Sequence, residues 1–118
     1  MALQVHSSDR IEAGEPSQDD VTAMLALFRQ QQYAEARLLA EQLLHRFPQH
    51  GFTWKALGAI HKKSGDLQAA ISALSNATLL LPQDADVHYN LGLALRQAGR
   101  IEEANAHFEA ATRLSGGR

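Results

Sequence analysis

The 118-residue chain contains no cysteine, so disulfides, thiolate metal ligands and thiol nucleophiles are excluded. It has no large excess of either charge: 11 Lys and Arg stand against 13 Asp and Glu, for a net charge of −2 and a pI near 6.3. The chain as a whole is therefore not drawn to nucleic acid or to an anionic membrane, and any electrostatic preference must come from where the charges sit. No apolar run approaches the roughly 20 residues needed to span a bilayer. The opening stretch MALQVHSSDRIEAGEPSQ lacks a basic segment followed by an unbroken apolar one, so it does not read as a secretory signal, and a cytoplasmic location is the expectation. Catalytic signatures are missing as well. There is no glycine-rich phosphate loop and no G-x-S-x-G, and Ser7, Ser8, Ser64, Ser72 and Ser75 have no local base. The six histidines include no pair in the H-E-x-x-H arrangement that suits tetrahedral zinc. The chain is accordingly expected to be no enzyme and to need no metal or cofactor, with His61 and His88 packed against neighbouring helices.

What is present is an ordinary globular balance, 45% hydrophobic and 20% charged, and a strong internal echo. Sliding Gly51 to Asp84 forward by 34 residues lays Leu57 on Leu91, Gly58 on Gly92, Gly65 on Gly99, Ala70 on Ala104, Leu74 on Phe108, Ala77 on Ala111 and Leu80 on Leu114. Trp54 lands on His88. Sliding it backward recovers Ala36 under Ala70 and Pro48 under Pro82, but finds Ala23 and Met24 where the other copies have Leu-Gly. A 34-residue unit with W-x₂-L-G, then Ala, an apolar residue four further on and a closing Pro resembles the tetratricopeptide repeat family. The resemblance covers residues 17–118 and implies an all-α fold: three stacked helix-turn-helix units (17–50, 51–84 and 85–118), six antiparallel helices in a right-handed α-solenoid.

Taken in order, residues 1–16 are too polar to bury much apolar surface and read as an irregular, loose arm. Ser17 or Asp19 can cap a first helix from about Gln18 to Gln31. A second, Tyr33 to Phe47, has its apolar residues three and four apart and ends at Pro48. A third runs from Gly51 to Ser64, with Gly65 as its left-handed terminator and Asp66 capping a fourth that stops before Pro82. Asp84 caps a fifth, Gly99 ends it, and a sixth spans Ile101 to Leu114. Mid-helix Gly58 and Gly92 each cost about 1 kcal/mol relative to Ala, so another helix must come close there, with Ala70 and Ala104 as the expected facing residues.

The resemblance also places a binding groove on the concave surface, built from the first, third and fifth helices. Its expected residues are Val21, Leu25, Phe28, Arg29, Phe52, Lys55, Lys62, Lys63, Tyr89, Asn90 and Arg96. Asn90 occupies a slot where many relatives present an asparagine to a bound backbone, and its amide can both donate and accept. Ala56 stands where a carboxylate-clamping relative has a second Asn. The cations suggest an acidic segment, although Lys62, Lys63 and Arg96 also fall near helix C-termini, which favour cations regardless of ligand. Val21, Leu25 and Phe28 form an apolar stripe, and no further polar helix follows Leu114. Both features suggest a partner's apolar anchor, a second copy of the chain, or cover from the N-terminal arm. The leading functional expectation is a protein-protein interaction module. The alternatives are a substrate-recruiting region of a larger glycosyltransferase-type enzyme, or a secretion chaperone or assembly scaffold.

Overall fold

The structure, a computed structural model, describes residues 14–116. It contains six helices: α1 (Gln18–Arg29), α2 (Tyr33–Arg46), α3 (Gly51–Lys63), α4 (Leu67–Leu80), α5 (Ala85–Gln97) and α6 (Ile101–Leu114), with no strand among the described residues. Most of the expected N-terminal arm, residues 1–13, lies outside the described residues. Of the rest, Gly14 to Pro16 are irregular as expected. Pro16 is nonetheless buried, and Glu15 reaches to 3.9 Å from the His50 ring at the start of α3.

The helix boundaries follow from local chemistry. Ser17 Oγ accepts from the Asp20 amide at 3.1 Å, Asp66 from the Ala69 amide at 3.1 Å, and Asp84 Oδ1 from the Asp86 and Val87 amides at 3.0 and 3.2 Å. Each satisfies first-turn donors that no helical carbonyl can reach. The turn inside each unit is the same closed motif: the amides of Gln32, Asp66 and Arg100 each donate to a carbonyl five residues back (Leu27, His61, Leu95), all at 2.9 Å. That motif needs one left-handed residue. Gly65 (φ 85°) and Gly99 (φ 83°) supply it in the second and third units, and Gln31 (φ 62°) in the first. This is why α1 stops at Arg29, short of the expected Gln31.

The close approach at the mid-helix glycines differs from expectation in its partner. A Cβ on Gly58 would lie 2.5 Å from Leu74, and one on Gly92 would lie 2.6 Å from Phe108. The facing side chains are thus Leu74 and Phe108, one turn beyond the expected Ala70 and Ala104. The first unit inverts the arrangement. Its equivalents are Met24 and Ala40, both fully buried in one core cluster. The large side chain has moved from the second helix to the first, keeping the filled volume similar, as dense packing demands.

Successive helices pack on one another throughout, and α1 touches α3 and α3 touches α5, whereas α2, α4 and α6 make no such contacts among themselves. The array therefore curves with α1, α3 and α5 on its inner side. Leu57, Leu74 and Leu91 lie in the core, while Trp54 and Phe108 are only half-buried. Trp54 owes its place to a polar contact: Nε1 donates to the Pro48 carbonyl at 2.8 Å. Thirty-four residues on, His88 Nε2 meets the Pro82 carbonyl at 3.1 Å. Since a carbonyl only accepts, His88 carries its hydrogen on Nε2, leaving Nδ1 to accept from His107 Nδ1 at 3.2 Å. The two imidazoles are stacked, with centroids 5.4 Å apart.

Candidate functional site

On the inner side, α1 and α3 enclose a cavity of about 140 Å³ that also reaches Asn90 on α5. Its floor is Met24 and Ile60, both fully buried. Its walls are Leu25, Phe28, Phe52, Ala56 and Ala59, and Lys55 and Asn90 stand at the polar edge. Small residues at 56 and 59 leave the space, while the aromatic walls are braced from outside. Phe28 rests against Tyr33, with centroids 5.7 Å apart, and the ring of Phe52 meets His50 edge-on at 6.3 Å.

Of the residues singled out from sequence, the structure gathers Leu25, Phe28, Phe52, Lys55 and Asn90 around this cavity. Val21, Arg29, Lys62, Lys63, Tyr89 and Arg96 lie outside its lining. Arg29, Lys62, Lys63 and Arg96 all fall in the last turns of their helices. Lys55 is already engaged: its ammonium lies 3.0 Å from Asp84 Oδ2 and 3.9 Å from Asp86. Burial alone would raise the Asp84 carboxyl, but the Lys55 ammonium and the two cap amides outweigh it and hold its pKa below the ordinary aspartate value. One side chain thus caps α5 and ties it to α3. The sequence showed the cap. It did not show the tie, because Lys55 and Asp84 are far apart along the chain and neither departs from a common helix-surface pattern.

Val21, Leu25 and Phe28 are half-buried, and Leu25 and Phe28 pack on the core cluster. Among the described residues, the large apolar side chains that stand exposed are Leu38, Leu79, Tyr89 and Ile101. Met24 and Ile60 were not anticipated as the cavity floor. The first hid in a glycine slot, and the second lies outside the repeat's signature positions.

Comparison with known proteins agrees with this architecture. One tetratricopeptide repeat family model matches residues 55–118 and another matches residues 22–50. The chain belongs to the tetratricopeptide repeat family. Protein FlbA of Caulobacter vibrioides is 36% identical over 86 residues, covering 72% of this chain and 14% of that protein. The chain thus spans only a small part of the length of that relative. Among solved structures, the Yersinia enterocolitica type III secretion chaperone SycD, in complex with a peptide of the translocator YopD, superposes with a TM-score of 0.80 at 17% identity, over 85% of this chain and 76% of that one. A type III secretion complex from Aeromonas hydrophila gives 0.81 at 21% identity, over 86% and 71%. MamA (AMB-1) gives 0.77 at 27% identity, over 84% and 54%. These likenesses bear on the helical solenoid. Among the described residues, no helix is long and apolar enough to cross a membrane.

Proposed function

We propose that this tetratricopeptide repeat chain is a protein-interaction module whose concave face holds a segment of a partner protein, anchored by one apolar side chain in the cavity between α1 and α3. The observation that carries this reading is the pairing of an apolar cavity of about 140 Å³ with Asn90 at its edge. The cavity removes an aliphatic side chain from water, and the amide can serve both the unpaired N–H and the unpaired C=O of an extended backbone. Burying one such side chain contributes about 1.5–3 kcal/mol, enough to fix register along the groove. The module does no chemistry of its own in this reading. It acts as a scaffold or chaperone, in the cytoplasm and without nucleic acid or membrane, and the recruiting region of a larger transferase is the alternative setting for the same groove. A second copy of the chain is the competing occupant.

The test is to isolate the partner by affinity capture and mass spectrometry, narrow it to a synthetic segment, and titrate that segment against Ala59→Phe, which fills the cavity. Loss of tenfold or more in affinity, with unchanged far-ultraviolet ellipticity, is the expected result. Equal affinity in both proteins would remove the cavity from the reading, and a concentration-dependent mass that Ala59→Phe abolishes would assign the groove to self-association.

A further inference from the structure

Beside the groove cavity lies a second concavity, of about 420 Å³, between α5 and α6. Its lining includes Asp86, Tyr89, Arg96, Phe108 and Thr112. The two spaces adjoin, since Asp86 on the rim of the second is 3.9 Å from Lys55 on the rim of the first. Lys55, shared with Asp84 at 3.0 Å, offsets the charge of Asp86 only in part.

Arg96 is the cation in this concavity. Its guanidinium carbon lies over the Phe108 ring, 5.4 Å from the centroid, and Phe108 is buttressed by Tyr89, with ring centroids 5.7 Å apart. The cation–π attraction draws the guanidinium toward the ring without using its N–H groups. No ion pair or hydrogen bond to another described residue uses them. A guanidinium with its donors unspent can receive a planar oxyanion through two parallel hydrogen bonds. Tyr89, half exposed, supplies an apolar wall for the methylenes of the side chain that carries it.

We infer that the concavity between α5 and α6 is a second subsite of the groove, taking a carboxylate side chain of the same partner segment, with Arg96 as its bidentate donor. The inference rests on the groove reading and adds to it the chemistry of a second anchor. It also moves the expected acidic preference from Lys55, which is engaged with Asp84, to Arg96. With helices about 8–10 Å apart, the two subsites are separated by roughly one and a half helix spacings. An extended chain rising about 3.3 Å per residue would therefore place the acid about four residues from the apolar anchor.

The experiment uses the full chain and a set of fluorescent decapeptides of Ser and Ala carrying one Leu and one Glu, their separation varied from about three to seven residues in steps of one. Each has a Glu→Gln counterpart. Anisotropy titrations should show tightest binding near four residues and about tenfold weaker binding for the Gln peptide. Arg96→Leu should erase that preference and bind both peptides alike, whereas Arg96→Lys should keep part of it. Wild type binding Glu and Gln peptides equally, or Arg96→Leu retaining the preference, would overturn the second subsite while leaving the groove intact. Failure of every peptide to bind would overturn both, and binding that Ala59→Phe abolishes but Arg96→Leu does not alter would keep the groove and reject the subsite.

Discussion

At the scale of single residues, the first unit pays for one departure from its siblings. Gln31 is held at φ 62°, where the equivalent positions carry Gly65 and Gly99, and a side chain in that region costs about 1–2 kcal/mol. Part of that cost returns through the extra freedom of an unfolded glycine. Gln31→Gly should therefore raise stability by roughly 1 kcal/mol net, read as a higher urea midpoint at unchanged slope; a lower midpoint would mean that the Gln31 side chain makes a compensating contact. His107 offers a second measurement. Burial, and then the neighbouring His88, lower its pKa from the ordinary 6.5, against a weaker opposite pull from Glu103. The folded chain thus takes up this proton less readily than the unfolded one, so the neutral ring's contribution is present above about pH 6.5 and is lost as pH falls below it. The urea midpoint should be lower at about pH 5.5 than at about pH 7.5, and His107→Gln should flatten that difference. An unchanged slope with pH in the variant would assign the effect to other groups.

At the scale of helix pairs, the caps were legible because capping is local: Ser17, Asp66 and Asp84 declare themselves within three residues of the amides they serve. The exchange of bulk between Met24/Ala40 and Gly58/Leu74 was not legible. Comparing each position with its own repeat equivalent shows a missing glycine, while the compensating change lies on the other helix of the pair. A double-mutant cycle tests the coupling. Leu74, 1% exposed, should cost about 2–5 kcal/mol when cut to Ala. Gly58→Ala should cost about 1–3 kcal/mol by overpacking, despite alanine's better helix propensity. Together they should cost at least about 1 kcal/mol less than the sum, because the shortened side chain makes room for the new methyl. Strict additivity in chemical denaturation would show that Leu74 shifts aside without strain.

At the scale of the whole molecule, the 34-residue echo was enough to give helix number, order and stacking, since each unit repeats the same local solution. The groove was legible only in part. Its apolar members follow from the repeat register, whereas the state of its cations depends on contacts between units, as with Lys55 and Asp84 at 3.0 Å. Asp84→Ala removes both an N-cap, which is worth about 0.5–2 kcal/mol, and that tie. It should therefore loosen α5 from α3 as well as fray the start of α5, and amide hydrogen exchange should accelerate in both helices. Acceleration confined to α5 would show that the tie to Lys55 contributes nothing.

The contact between Trp54 and the Pro48 carbonyl also makes the chain report on itself optically. Trp54 is its single tryptophan, so its emission observes one seam, the junction of the first two units, while far-ultraviolet ellipticity averages over all six helices. In a stack whose units touch only their neighbours, melting can begin at an end and travel inward. If it does, the two optical signals will part company during a slow thermal ramp, and their separation measures how far one unit can open before the next one follows. Superimposed curves would instead show that the three units melt as one.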